Sequence, residues 1–307
     1  MATRPTAVPE RPDTPRRANG PVPDDASGVA VLQFLDVLTQ EVAGGPLNLP
    51  CFPDIVPRVR KALDDPASTA EDIVRIAGSE PRLAARLLQT VNSAVFNPAG
   101  PAITNLRQAV TRLGHNLVQS VTMAFAVQQI KADAALRPVA DDLNALWERS
   151  IAVASICQLL ARRLRVPADK VFLAGLLHGI GHFYILVRAA TAPPGVLGSP
   201  LLADFVADWH PEIGQSVLEG WGFESVMCEA VGSQRRHDRQ PHPAADLTDV
   251  LIASVALAEA LLERNGDVSF CNPINAFDSL GLSTEELRAI VTHTNHSLES
   301  LRDALGC

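Results

Sequence analysis

The sequence has no CxxC pair, no surplus of basic charge and no stretch that alternates apolar and polar residues as a strand would, and each absence removes a class of protein. Its cysteines (Cys51, Cys157, Cys228, Cys271 and Cys307) are odd in number and scattered. Neither a disulfide framework nor a zinc ribbon is indicated, and a reducing cytoplasm is the expected compartment. A formal charge of −8 argues against general nucleic-acid binding, which needs Lys and Arg gathered on one face. The opening "MATRPTAVPERPDTPRRANGPVPDD" has arginines but no apolar segment behind them, unlike a secretory signal. Its Pro- and Arg-rich composition predicts a disordered tail over residues 1–28. The most apolar run, Val171–Val187, is at the short limit for a membrane span and would put two histidines near mid-membrane. It reads as a buried helix of a protein that does not enter membranes.

What is present is helical punctuation. A chain of 307 residues, 47% of them hydrophobic, has enough apolar surface for a substantial core. Helical spacing starts at "VAVLQFLDVLTQEVA" and resumes around Ile55–Leu63. Ser68 and Glu71 have capping-box spacing ahead of a helix that stops near Gly78, and Pro81 opens the next. Thr104 and Gly114 bracket another, followed by the apolar "NLVQSVTMAFAVQQI". Further helices are predicted over Asp142–Leu164, Ala168–Leu186, Leu201–Asp208, Pro211–Glu219, Glu224–Gln234, Leu247–Arg264 and Thr284–Leu305, the last behind a capping box at Ser283 and Glu286. The expected organisation is all-α: the tail, a compact multi-helix body over residues 29–240, and a C-terminal helical extension, 241–307, packed on it. The polar stretch Arg235–Asp246 serves as the linker.

Within "FLAGLLHGIGHFYIL", His178 and His182 are one turn apart and share a helix face. Such a pair approaches a single ion, yet the metalloprotease form needs Glu directly after the first His, and Gly179 stands there. The bland alternative is two neutral imidazoles hydrogen-bonded between helices. Asn92 and Ser93, before "NPAGP", read as capping groups for a helix end. The arginines of "QRRHDR" are interrupted by Asp238 and lack aromatic neighbours for base stacking, so nucleic acid is not the expected partner.

"FLAGLLHGIGHF" resembles the His-Asp helix of the HD superfamily of metal-dependent phosphohydrolases, with Gly179 where the aspartate belongs and His182 where lysine is common. "LWERSIAVAS" corresponds to the upstream ligand stretch, and Arg149 occupies the histidine's place. "DWHPEIGQSVLEGWGF" resembles a downstream pattern with His210 at its histidine; His237 falls near a further histidine position and Glu259 near that of a final aspartate. The first half is more specific. Leu49–Pro53, the capped helix at Ser68, "EPRLAARLLQTVNSAVF" and "ITNLRQAVTRLG", in order and ahead of the His-Asp remnant, resemble the HDOD (HD-related output domain) family over residues 47–240.

The resemblance implies an HD-like bundle of α-helices in bacterial signalling proteins, with a degenerate hydrolase site and no established catalysis. A guanidinium has no lone pair for a metal and repels cations. The sequence therefore leads us to expect no metal and no cofactor, a regulatory pseudoenzyme working through protein–protein interaction with a signalling partner, and a remnant pocket at Arg149, His178, Gly179, His182, His210, His237 and Glu259 open to a small nucleotide. The alternative is a divergent phosphohydrolase that rebuilds a metal site from His178, His182, His210, His237 and Glu259. Oligomeric state is not fixed by the sequence.

Overall fold

The computed structural model describes residues 26–47, 49, 53–93, 96–97, 100–164, 166–240, 244–271 and 274–305. The expected tail falls almost wholly outside them, as do Cys51, Cys307 and residues 241–243 of the expected linker. No strand occurs among the described residues.

Four helices lead into the body: α1 (Ala26–Ala43), α2 (Ile55–Asp64), α3 (Ala70–Gly78) and α4 (Pro81–Val91). Pro81 does stand in the first turn of α4, where its missing N–H costs nothing. The capping box of α3 sits one residue later than the Ser68–Glu71 spacing suggests. Asp72 N donates to the Thr69 hydroxyl at 3.4 Å, and Thr69 N donates back to the Asp72 carboxylate at 3.0 Å. Asp72 also pairs with Arg75 one turn on, which favours this register. α5 (Leu106–Lys131) is likewise capped by Asn105 rather than Thr104, its amide oxygen accepting from Arg107 N at 2.8 Å. Gly114, with φ +72, kinks α5 rather than ending it.

After a 3-10 turn (Ala134–Val139) come α6 (Ala140–Leu164), α7 (Ala168–Leu177), α8 (Ile180–Ala190), α9 (Pro200–Gly220), α10 (Ser225–Gly232), α11 (Leu247–Glu263), α12 (Ala276–Leu280) and α13 (Thr284–Leu305). Two sequence expectations need correction here. The single helix Ala168–Leu186 is split at His178–Gly179, because the His178 carbonyl accepts the Gln234 amide at 2.8 Å and Gly179, at ψ 5°, leaves the helical path. The two helices Leu201–Asp208 and Pro211–Glu219 are one, α9, with Pro211 inside it. Proline deprives the Ala207 carbonyl of its donor. Arg235 supplies a replacement at 2.7 Å, so the helix continues.

One apolar core runs from Val31 on α1 to Leu305 on α13. α6 lies at its centre, with α7, α11 and α13 packed on it, while α8 crosses α9. The apolar stretch Ala168–Ala190, long enough by length and composition to cross a membrane, is 89% buried within the fold. Glycine sets both crossings beside the histidines. A side chain at Gly175 would come within 2.8 Å of the Ala154 backbone, and one at Gly181 would collide with the His210 carbonyl and the Gly214 backbone. The segment after residue 240 joins the same core through α11 and α13. What reads as a linker is partly anchored: Arg239 binds Asp246 at 2.5 Å and the buried Asp249.

Candidate functional site

The site forms where α6, the α7–α8 break, α9 and α11 meet. Splitting the helix at His178–Gly179 leaves His178 in the break and His182 in the first turn of α8. The Gly181–Gly214 contact pulls α9 against α8, so that the rings of His182 and His210 lie 6.2 Å apart, tilted by 52°.

Hydrogen bonds fix two of the three rings. His178 is buried, and its Nδ1 lies 2.7 Å from the Gly175 carbonyl; His210 Nδ1 lies 2.8 Å from that of Val206. A carbonyl only accepts, so both Nδ1 atoms carry the proton and both Nε2 atoms present a lone pair. Burial holds all three imidazoles below their ordinary range. It brings His178 to about 3 against the opposing Gly175 bond, with His210, Arg149 and His182 adding to the depression. His182 falls to about 4 by burial, then by the nearby His210 and Arg149. His210 is lowered by burial and by Arg235 and Arg149, against its carbonyl bonds. The cluster is neutral near pH 7.

The charge in the site belongs to Arg149. From α6 it forms an ion pair with Glu263 at the end of α11, half-buried and within electrostatic reach of all three histidines and of Glu259. Burial lowers its pKa and Glu259 opposes the shift, but a guanidinium remains charged. Glu259 itself accepts from Arg264 Nε at 2.8 Å. His237 is exposed after α10; its backbone carbonyl accepts Asn275 N at 2.9 Å, and its ring has no bond to the histidine trio. The structure thus gathers Arg149, His178, Gly179, His182 and His210, brings Glu259 to their edge, and sets His237 apart.

A metal does not fit this donor set. Among the described residues no group of three or more His, Cys, Asp or Glu side chains is arranged to hold one. At Gly179 a Cβ would meet only the movable end of a side chain, Leu146 Cδ1 at 2.9 Å, and the glycine itself brings no carboxylate to the rings. The Arg149 charge would repel an incoming cation.

Two residues at the site escaped the sequence reading. Glu263 lies four residues after Glu259 on α11, a spacing that puts both on one face. Gln234, which holds the His178 carbonyl, has no sequence signal, being one more polar residue after a helix. Asn92 acts as expected: its amide bonds the Leu88 carbonyl at 2.9 Å and both polar groups of Ile103 at 2.7 Å, tying the end of α4 to the following loop. With Ser93, Leu88, Gln89 and Asp303 it also lines an open depression of about 410 Å³.

Comparison with known proteins agrees with this architecture. The HDOD domain model matches residues 49–237. A crystal structure from Shewanella amazonensis SB2B, provisionally named a metal-dependent phosphohydrolase, is similar with a TM-score of 0.71 at 23% identity, over 89% of this chain and 99% of that one. A protein from Marinobacter aquaeolei VT8, provisionally named for signal transduction, gives 0.59 at 21% identity over 93% and 67% of the two chains. An HDOD domain protein of unknown function from Geobacter sulfurreducens gives 0.57 at 21% identity over 90% and 97%. At these identities the likeness shows the fold alone. An uncharacterized protein of Treponema pallidum (strain Nichols) is 24% identical over 227 residues, 69% of this chain, which spans only 41% of that relative's length. From the family match and the all-α architecture together, the chain belongs to the HDOD domain family.

Proposed function

We propose that the chain is a non-catalytic signal-transduction module, acting by binding a partner protein, in which the hydrolase centre of its HD relatives has been replaced by an internal charge. The observation that carries this reading is Arg149. It brings a fixed positive charge to three neutral imidazoles and is itself balanced by Glu263, so the cluster is electrically satisfied without an ion. Gly179, which brings no side chain to the rings, supports the same reading. Cys157, Cys228 and Cys271 are free and buried, which suits the cytoplasm.

A second reading, a divergent phosphohydrolase, draws on one feature. His178 and His210 each bind a carbonyl through Nδ1, the orientation by which a protein aims Nε2 at a metal. Purified protein separates the two. The non-catalytic reading predicts no phosphodiester hydrolysis with added Mn²⁺, Fe²⁺ or Ni²⁺, and recovery of a defined signalling protein when the chain is used as bait. Hydrolysis that disappears in His178→Ala would establish the second reading instead.

A further inference from the structure

Arg149, His182 and His210 form a mixed donor and acceptor surface for which the architecture described above gives no use. Arg149 supplies N–H donors and positive charge. His210, with Nδ1 spent on Val206, supplies an Nε2 lone pair, and the His182 ring faces it at 6.2 Å. All three side chains are half-buried and therefore reachable from solvent. Arg235, bound to the Ala207 carbonyl in the turn before His210, adds a second guanidinium close to that ring.

We propose that Arg149, His182 and His210 bind a protonated oxyanion of the phosphate class, an inorganic phosphate or a phosphate monoester, and that Glu263 is the internal competitor the ligand displaces. A guanidinium beside neutral rings attracts an anion, and low polarity around it strengthens the attraction. An Nε2 lone pair repels a bare anionic oxygen but accepts from P–OH. An oxyanion that keeps a proton therefore satisfies both sides, whereas sulfate or a phosphodiester leaves the imidazole facing negative charge. Glu263 stands in for the ligand while the site is free: its carboxylate takes the guanidinium from the α11 side. Because Glu263 is the last residue of α11, beyond the matched residues 49–237, drawing Arg149 toward a ligand releases the end of α11 from α6 while the core packing of the two helices stays. Binding in the old centre is in this way reported to the segment that follows it.

This inference rests on the non-catalytic reading, and its experiment is run on full-length protein stripped with EDTA so that the two fail separately. Metal content and hydrolysis, measured before stripping, report on that reading; calorimetric titration of the stripped protein at about pH 6 reports on this one. Expected are saturable, one-to-one binding of inorganic phosphate, with or without equal binding of AMP as a monoester, and at least tenfold weaker binding of sulfate and dimethyl phosphate. Arg149→Met should weaken phosphate at least tenfold. Glu263→Gln, an exposed substitution that leaves the core untouched, should tighten it several-fold and raise hydrogen exchange at the end of α11. Sulfate or the diester binding as tightly as phosphate would overturn the proposal. So would no saturable binding, or phosphate affinity unchanged in a folded Arg149→Met or in Glu263→Gln.

Discussion

The glycine crossings that carry the histidines and the side chains that fill the centre lie within a few residues of each other, yet they are held by different forces. At Gly175 and Gly181 backbone meets backbone, and any larger residue would have to push a helix away. At Arg149, Glu263 and Glu259 the contacts are between long, partly exposed side chains, which exchange at small cost. The frame of the site is therefore far less substitutable than its contents. That difference explains how a chain keeps the HDOD fold, with His178, His182 and His210 brought together, while the side chains around them are free to differ.

The largest effect should come from the frame. Gly181→Val forces α8 off α9, and we expect a loss of at least about 3 kcal/mol in urea unfolding, or no folded product. A smaller effect comes from the buried histidine. His178 has a folded pKa of about 3, below the 6.5 of a free imidazole, so the unfolded chain binds more protons as pH falls through 6.5. Its contribution is present in full above that pH and is lost toward pH 3. Between pH 7 and pH 5 the unfolding free energy should drop by about 2 kcal/mol from His178 alone, and a folded His178→Gln should flatten that slope. The smallest effect separates two readings of one cap: Thr69→Ala should cost about 1 kcal/mol and Ser68→Ala close to nothing, measured by the same unfolding curves.

The fold was legible wherever local chemistry decides it. Pro81 opening α4, the Ser283–Glu286 box opening α13 and the apolar face Leu83, Leu87 and Val91 are each set within a few residues of sequence. The misread boundaries have tertiary causes. α9 continues through Pro211 because Arg235 reaches over from the segment after α10, and the α7–α8 break depends on Gln234, 56 residues from His178. Cap errors at Ser68 and Thr104 arose because the neighbouring residue, Thr69 or Asn105, could serve equally well; at Thr69 the Asp72 side chain, itself paired with Arg75, chose between them. At the site, the shared face of His178 and His182 could be read directly from their spacing. Glu263 as the partner of Arg149 could not, since the pairing joins residues 149 and 263 across two helices.

The central claim is that an internal guanidinium has taken the place of a metal, and elemental analysis of the protein purified without chelator tests it most directly. The account predicts Fe, Mn, Ni and Zn all far below one atom per chain, and no gain in Gly179→Asp, because the Arg149 charge still stands beside the histidines. One tightly held metal atom per chain, lost in His178→Ala, would contradict it.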